Sequence, residues 1–368
     1  MIGNMEALFV DSVSKKYGSI RALNNVSFRV DKREYLCILG PIGAGKTTLL
    51  KIISGLLLPD SGRIYIDGVD KTFEAPENRG ISYMPQGYAL FPHMTVWENV
   101  AYGVEMRGFS MDRAKEALEI VGLYHRRNSY PHELSGGQQQ RIALARALAA
   151  GTEILLLDEP LSALDVLIGV ELRYELKRLA KKLGLTVLHV THNVEEALSI
   201  ADRVLILKKG YVQQIGKPEH VYLNPVNLFV ANFLGEVNVF EGLLKGARYG
   251  NSIVDVNGLG EVYVTSRPID KWHVVVAFRP EDIIITDGES RYDINVFKGV
   301  ILNREFIGAL AKYQIAIGDY TVRVYSWNDG KCSFDAGDSV TVYFPPHRGI
   351  LYPYPREGLL KMLEVEGL

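Results

Sequence analysis

The sequence predicts an α/β domain followed by an all-β domain, and the two parts of the chain differ clearly in pattern. In the first part, short apolar runs alternate with helical patterns, as in a parallel sheet whose strands are buried on both faces. The runs are Leu36–Leu39, Ile154–Leu157 and Thr186–Val190. A helix predicted from about Val170 to Leu183, with Gly184 as its C-cap, lies between the last two runs. Strand, helix and strand in this order predict a right-handed crossover.

The second part of the chain contains short strands, several strictly alternating, separated by Gly-Asp, Asp-Gly and Asn-Gly turns. The predicted strands are Glu261–Thr265, Val274–Phe278, Tyr313–Ile317, Tyr320–Val324 and Ser339–Tyr343. Short strands with such turns are typical of a small barrel or sandwich. The change of pattern lies between Asn224 and Asn238, and we assign residues 1–235 to the α/β domain and residues 236–368 to the β domain.

The composition argues against nucleic-acid binding, metal clusters and membrane insertion. The 368 residues include 41 Lys+Arg and 43 Asp+Glu, so the formal charge of −2 provides no general attraction for nucleic acid. Cys37 and Cys332 have no second ligand at metal spacing, and we expect incidental or buried thiols. No signal peptide and no apolar run of bilayer length are visible. Any membrane role is therefore expected to depend on a partner subunit.

A glycine-rich segment, Gly40–Thr47, follows an apolar strand and precedes a helical pattern, which is the setting of a phosphate-binding loop. The glycines would let backbone N–H groups turn inward around a β-phosphate, and the helix N-terminus would add partial positive charge. Lys46 could then reach the β- and γ-phosphates, and the Thr47 hydroxyl could bind Mg²⁺. The alternative is an ordinary glycine-rich turn between a strand and a helix.

Two acidic residues, Asp158 and Glu159, stand at the end of an apolar strand. In a parallel sheet this end lies at the edge that also holds the phosphate-binding loop. We therefore expect Asp158 to hold Mg²⁺ through water and Glu159 to polarise the attacking water. The alternative is a solvated acidic pair at the end of an ordinary strand.

A third motif, Ser135–Gln138, precedes a helical pattern and predicts another helix N-terminus that could bind an anion. One domain has room for one γ-phosphate at its own loop, so this terminus is expected to serve the nucleotide of another chain. The alternative is an N-cap serine followed by a flexible turn.

The three motifs in this order resemble those of the ATP-binding subunit of an ABC transporter. Gln86, preceded by Tyr-Met-Pro, and His192, which follows a buried strand, extend the resemblance. It implies a P-loop NTPase core with a helical subdomain at about residues 87–150, followed by the β domain. It also implies ATP and Mg²⁺ as cofactors and a head-to-tail dimer, in which each ATP lies between one chain's loop and the other chain's Ser135–Gln138.

The resemblance further implies which residues form the site. The ATP-binding residues would be Tyr17, Gly40, Pro41, Gly43, Ala44, Gly45, Lys46, Thr47, Thr48, Ser135, Gly136, Gly137, Gln138 and Asp165; the catalytic residues Gln86, Glu159 and His192; and the Mg²⁺ ligands Thr47, Gln86 and Asp158. Tyr17 would stack on adenine, and His192 would contact the γ-phosphate. As alternatives, Tyr17 could be a packed surface tyrosine, and His192 could merely precede a helix that starts at Asn193.

A narrower resemblance covers Gln86–Val96, Phe233–Gly235 and Phe278–Asp282, which are similar to segments of importer ATPases for sugars, polyamines, ferric iron and oxyanions. That group appends an oligomer-binding-type β domain. The implied partners are a second copy of the chain, transmembrane permease subunits and, indirectly, an extracytoplasmic solute-binding protein, without nucleic acid. The implied location is peripheral, at the cytoplasmic face of the cell membrane. Ile42 and Asn193 depart from the family pattern, and hydrogen bonding next to His192 is expected to differ.

Two questions stay open at this level. A non-transport ABC-type ATPase that acts on nucleic acid or ribosomes is the alternative function, although the sequence shows no coiled-coil insertion, zinc module or second ATPase cassette. The β domain could sense an oxyanion, dock a control protein or only hold the dimer together.

Overall fold

The computed structural model describes residues 6–266, 269–288, 291–328 and 334–364. The chain divides into two compact units, one ending at Pro225 and the other starting at Val226. A helix at Leu228–Leu234 packs its apolar face against Val275 and Ala277 of the second unit. This packing is the reason why the second unit begins before the predicted boundary at residue 236.

The strands of the first unit are β1 (Glu6–Tyr17), β2 (Ile20–Asp31), β3 (Tyr35–Leu39), β4 (Ser61–Ile66), β5 (Val69–Asp70), β6 (Ile81–Met84), β7 (Ile154–Asp158), β8 (Thr186–Thr191), β9 (Arg203–Lys208) and β10 (Tyr211–Gly216). Its helices are α1 (Lys46–Ser54), α2 (Val96–Met106), α3 (Asp112–Ile120), α4 (Gly136–Ala149), α5 (Val166–Leu183), α6 (Val194–Ile200) and α7 (Pro218–Leu223). Short 3₁₀ turns lie at Pro76–Asn78, Tyr124–Arg126 and Pro131–Glu133.

Two sheets share one core in the first unit. One has the order β10-β9-β3-β8-β7-β6, in which β10 is antiparallel to β9 and the other neighbours are parallel. The other is antiparallel, with the order β2-β1-β4-β5. Helix α1 belongs to the same core, because Leu50 and Ile53 are buried in one cluster with Val10 and Leu188. The parallel α/β arrangement predicted from the sequence is confirmed.

The three predicted buried runs are the central strands β3, β7 and β8, and every residue in them is buried. Leu39 is paired with Thr191, and Asp158 with Val190. The carboxyl ends of the three strands therefore meet at one edge of the sheet, where the site is expected.

Helix α5 starts earlier than the sequence predicted. It begins at Val166, and the Gly169 N–H donates to the Asp165 carbonyl at 2.8 Å, which places Gly169 in the first turn. The helix ends at Leu183 as predicted, followed by Gly184 in the left-handed conformation with φ of 66°.

Helices α2, α3 and α4 pack on one another and form the helical part of the first unit. Val100, Leu118 and Leu144 are buried in this packing. Two of the helices begin with a capping box, which pairs Thr95 with Glu98 at α2 and Ser135 with Gln138 at α4.

The C-terminus of α1 is closed by the buried side chain of Arg79. The guanidinium Nη1 donates to the carbonyl oxygens of Ile52 and Ile53, each at 2.9 Å. Nη2 and Nε donate to the carbonyl oxygens of Thr72 and Glu74, at 2.8 and 3.0 Å. One cation therefore provides the hydrogen bonds that the last turn of the helix lacks.

Arg79→Met is expected to lower the free energy of unfolding by about 3–5 kcal/mol, because four carbonyl oxygens lose a charged donor in a buried place. Urea unfolding followed by circular dichroism measures the loss. Arg107→Met, at an exposed arginine that follows α2, should change this free energy by no more than about 0.5 kcal/mol. Equal stabilities of the two variants would contradict the role of Arg79.

The second unit has the strands β11 (Asn238–Arg248), β12 (Asn251–Val256), β13 (Gly260–Val264), β14 (His273–Phe278), β15 (Ile284–Thr286), β16 (Val296–Ile307), β17 (Leu310–Ile317), β18 (Tyr320–Trp327), β19 (Ser339–Tyr343) and β20 (Ile350–Pro353). Its helices are α8 (Leu228–Leu234) and α9 (Leu359–Leu363), and short 3₁₀ turns lie at Pro280–Asp282 and Pro346–Arg348.

The second unit consists of two antiparallel sheets with the orders β13-β12-β11-β14-β20 and β15-β19-β16-β17-β18. Both sheets contribute to one core, in which the Phe344 ring meets the rings of Phe240 and Phe278 edge-on at 5.6 and 5.1 Å. The all-β prediction and its five strands are confirmed. Cys332 lies outside the described residues, whereas Cys37 is a buried free thiol.

Candidate functional site

The segment after β3 is a tight loop that only glycine can form at two of its positions. Gly45 has φ of 102°, and a Cβ there would lie 2.3 Å from the Ala22 carbonyl oxygen. A Cβ at Gly40 would lie 2.3 Å from the Leu207 carbonyl oxygen. Helix α1 starts directly after this loop at Lys46, and its first turn has no side-chain cap. The loop therefore presents a helix N-terminus to a ligand, as phosphate binding requires.

Lys46 lies within the loop rather than in solvent. Its Nζ donates to the carbonyl oxygens of Gly40 and Pro41, at 2.7 and 2.9 Å. Burial lowers the pKa of Lys46, and the nearby carboxylates of Glu159 and Asp158 oppose this shift. The ammonium group is thus held beside the loop by two neutral acceptors that an anionic ligand could replace.

A hydroxyl and a carboxylate meet beside the loop, although they are far apart in the sequence. Thr47 Oγ1 donates to Asp158 Oδ1 at 3.2 Å, and the Tyr83 hydroxyl donates to Asp158 Oδ2 at 3.3 Å. Burial raises the pKa of Asp158, while the two hydrogen bonds and Lys46 act in the opposite direction. Burial also raises the pKa of Tyr83, and the Asp158 carboxylate adds to this. Hard oxygen donors of this kind fit Mg²⁺.

The next residue, Glu159, has an unusual backbone and a defined side-chain partner. Its φ is 53°, and its N–H donates to the Val190 carbonyl oxygen at 2.9 Å. Both carboxylate oxygens lie 2.9 Å from His192 Nδ1. The Glu159 side chain is 9% exposed and that of His192 is 63% exposed, so the imidazole covers the carboxylate from the solvent side.

A cavity of about 300 Å³ brings most of the predicted residues together. The predicted residues that line it are Tyr17, Gly43, Ala44, Gly45, Lys46, Thr47, Thr48, Gln86, Asp158 and Glu159. Ile20, Ala22, Ile42 and Val190 complete the lining. Ile42, the first departure from the family pattern, is exposed at this lining.

The remaining predicted residues lie outside this cavity. Ser135 is the N-cap of α4, where its Oγ accepts from the Gln138 N–H at 3.3 Å, and the Gln138 Oε1 accepts from the Ser135 N–H at 3.0 Å. Asp165 is exposed at the N-cap position of α5. His192 reaches the site only through Glu159. Within one chain, Ser135–Gln138 are therefore not part of the cavity.

Asn193, the second departure from the family pattern, caps α6. Its Oδ1 accepts from the Glu196 N–H at 2.9 Å, and the Glu196 carboxylate accepts from the Thr191 hydroxyl at 3.0 Å. The helix start predicted at Asn193 is confirmed. His192 precedes that helix, as the alternative interpretation expected, and its Nδ1 contacts the Glu159 carboxylate.

Sequence reasoning did not identify two residues that contact the site. Tyr83 contacts the Asp158 carboxylate, and Gln140 donates from Nε2 to the Glu159 carbonyl oxygen at 2.9 Å. Tyr83 lies three residues before Gln86, and Gln140 lies two residues after Gln138. A search for polar residues next to each motif could have found them, but their partners could not have been predicted.

The family model described as ABC transporter matches residues 23–162, and the model described as TOBE domain matches residues 276–351. The molybdate/tungstate import ATP-binding protein of Pyrococcus abyssi is 43% identical over 86% of this chain and 91% of its own length. The chain belongs to the ABC transporter ATP-binding family. The spermidine/putrescine import ATP-binding protein of Pasteurella multocida, at 40% identity, covers 86% of this chain and 87% of its own length.

Solved ABC transporter cassettes confirm the fold of the first part of the chain. The dimeric structure of a bacterial ABC transporter cassette is 34% identical, has a TM-score of 0.54, and covers 57% of this chain and 98% of its own. A dimeric post-hydrolysis state bound to ADP and Pi is 36% identical, with a TM-score of 0.53 over the same shares. As a member of the ABC transporter family, the chain is an ATP-binding ATPase. Within the described residues, none of its helices has the length and apolar character of a membrane span.

Proposed function

We propose that the chain is the ATP-hydrolysing subunit of an ABC importer and that the cavity beside the loop holds MgATP. The observation that carries this proposal is the meeting of Lys46, Thr47, Asp158 and Glu159 in one cavity at the carboxyl edge of the sheet. A cation, a hydroxyl, a buried carboxylate and a second carboxylate are the groups that phosphoryl transfer to water requires. Tyr17, which also lines the cavity, provides an aromatic face on which the adenine ring of ATP can stack.

Each residue has a separate task in the proposed mechanism. The N–H groups of the loop and the Lys46 ammonium bind the β- and γ-phosphates, and Lys46 exchanges the Gly40 and Pro41 carbonyl oxygens for phosphate oxygens. Thr47 and Asp158, with Gln86 nearby, would hold Mg²⁺, which supplies charge neutralisation on the phosphates when it is bound.

The proposed hydrolytic step depends on the carboxylate next to the metal-binding residue. Glu159 orients a water molecule and accepts its proton while the water attacks the γ-phosphate. His192 holds both Glu159 oxygens at 2.9 Å and can turn toward developing charge, since most of its side chain is exposed. The proposed roles of these residues rest on this geometry.

We propose that Ser135, Gly136, Gly137, Gln138 and Asp165 complete the site of a second copy of the chain in a head-to-tail dimer. They lie at two helix N-termini outside the chain's own cavity. In such a dimer residues 1–235 would provide the ATPase, and residues 236–368 would serve regulation or dimerisation. Closure of two chains over two ATP molecules would exclude water from both sites.

A dimeric site makes activity depend on protein concentration. At an ATP concentration that saturates the loop of the monomer, we expect the ATPase rate per chain to rise with protein concentration and to level off when the dimer is saturated. Phosphate release across a dilution series, with sedimentation of the same samples, measures the rate and the fraction of dimer. A constant rate per chain in samples shown to be monomeric would contradict the shared site without affecting the assignment of the loop.

The proposed partners are permease subunits in the membrane and, indirectly, a solute-binding protein outside it, so that the chain lies peripherally at the cytoplasmic face. The relatives act on molybdate/tungstate and on spermidine/putrescine by their names. These names support an oxyanion or a polyamine as the solute class, and they do not support a role on nucleic acid or ribosomes. ATPase stimulation in proteoliposomes that contain the permease, with each solute and its binding protein, tests the class.

A further inference from the structure

Gln140, on the first turns of α4, is a buried carboxamide that contacts the candidate site from behind. It is fully shielded from solvent. Its Nε2 donates to the Glu159 carbonyl oxygen at 2.9 Å, and its Oε1 accepts from the Ala163 N–H at 3.1 Å. Nε2 also lies 3.4 Å from Ser162 Oγ. The NH₂ group of the Gln140 amide therefore bonds to Glu159, the proposed general base, and the amide oxygen bonds to the segment that follows Glu159.

The Glu159 backbone requires such support. A non-glycine residue with φ of 53° is in a sparsely populated conformation that persists only where its surroundings hold it. The N–H of Glu159 is held by Val190, and its carbonyl oxygen accepts from Gln140 Nε2 and from the Ser162 hydroxyl at 3.1 Å. Loss of the Gln140 bond would leave the carbonyl oxygen to the Ser162 hydroxyl and N–H, at 3.1 and 3.4 Å, and would weaken the restraint on this peptide and on its carboxylate.

The same amide ties Glu159 to the beginning of α4. A Cβ placed at Gly137 would lie 3.2 Å from the Ala163 carbonyl oxygen and 3.3 Å from Leu164 Cδ2, so the start of the helix packs closely on these two residues. The first turn of α4 carries the motif that we propose serves the nucleotide of the partner copy. Gln140 thus links two parts of one chain. One is the start of α4, which would contact the partner's ATP, and the other is the Glu159 carboxylate, which would act on the ATP bound by the same chain.

We infer that Gln140 is a positioning residue, which fixes the Glu159 carboxylate for water activation and couples it to the N-terminus of α4. The inference rests on the proposed function, because it assigns Gln140 a role only if Glu159 activates the water. Gln140 itself is not among the residues that line the cavity. Its removal is expected to affect turnover and not ATP binding, since the lining of the cavity stays in place.

The test uses Gln140→Met, which keeps the volume of the side chain and removes both hydrogen bonds, in the full-length protein. We expect kcat to fall about 10- to 100-fold, which is the loss typical of a reacting group displaced by up to about 1 Å. The ATP dissociation constant should stay within about twofold. In the Glu159→Gln background, measured by single-turnover hydrolysis with excess protein, Gln140→Met should cause less than about a twofold further loss. An equal fold-loss in both backgrounds would overturn the inference.

A second variant separates positioning from packing by its pH dependence. In Gln140→Glu, the ionised carboxylate accepts from the Ala163 N–H but cannot donate to the Glu159 carbonyl oxygen, whereas the protonated form can do both. The ratio of its kcat to that of the wild-type protein is expected to rise as the pH is lowered. A ratio that stays well below one at every pH, in a variant whose thermal unfolding matches that of the wild type, would contradict the inference.

Thr152→Val is the matched control for loss of a buried hydrogen bond in the same unit. The Thr152 hydroxyl bonds to Ser82 Oγ at 2.8 Å and to the Ile154 carbonyl oxygen at 3.0 Å, at the end of β7 opposite to the site. This variant should lose thermal stability and keep its kcat.

Turnover of Glu159→Gln at the wild-type rate would refute the proposed base, whereas a slow Glu159→Gln with a fully active Gln140→Met would refute the positioning role alone.

Discussion

Glu159→Gln is expected to lower steady-state ATP hydrolysis by about 10³-fold while ATP still binds. The amide keeps the size of the side chain and can still contact His192, but it cannot accept a proton from water. With hydrolysis blocked, the two chains should stay closed over bound ATP. Phosphate release gives the rate, a fluorescent ATP analogue gives the affinity, and gel filtration in the presence of MgATP gives the fraction of dimer.

Glu153→Gln serves as the control for this substitution. Glu153 is an exposed acid one residue before β7, the strand whose other end carries Asp158 and Glu159. This variant should hydrolyse ATP at the wild-type rate and should not accumulate as a dimer. Wild-type turnover of Glu159→Gln would show that another group activates the water.

Lys46→Met is expected to weaken ATP binding by about 100-fold and to abolish measurable hydrolysis, because the phosphates lose the charged donor that the buried Lys46 side chain provides. Unlike Glu159→Gln, this variant should not form a dimer upon addition of MgATP, since the ligand that closes the dimer is no longer held. Isothermal titration with ATP and gel filtration distinguish the two variants.

A control variant separates the effect of losing the Lys46 charge from the effect of losing a positive charge elsewhere on the protein. Lys182 is exposed near the end of α5 and is not part of the cavity lining. Lys182→Met should bind and hydrolyse ATP as the wild type does. If Lys46→Met retained wild-type affinity, the loop would bind phosphate through its backbone alone, and the proposed exchange of Lys46 from the Gly40 and Pro41 carbonyl oxygens would be wrong.

The fold class follows from local patterns. Each of the strands β3, β7 and β8 is a continuous apolar run, and β19 coincides with its predicted range. Such strands can be predicted because burial on both faces of a parallel sheet, or on one face of an antiparallel sheet, acts on neighbouring residues of one segment. The start of α5 could not be predicted, because the local sequence does not show that the Asp165 carbonyl accepts the Gly169 N–H.

The sequence by itself determined the groups that we propose carry the chemistry, because each motif is a short contiguous segment whose residue types suit phosphate, metal or water. Only the tertiary structure decided how these groups meet. Thr47 bonds to Asp158, Tyr83 joins the same carboxylate, and Gln140 supports the Glu159 carbonyl, each across a long stretch of chain. Such contacts depend on which strands lie side by side and on helix packing, and no local pattern records these arrangements.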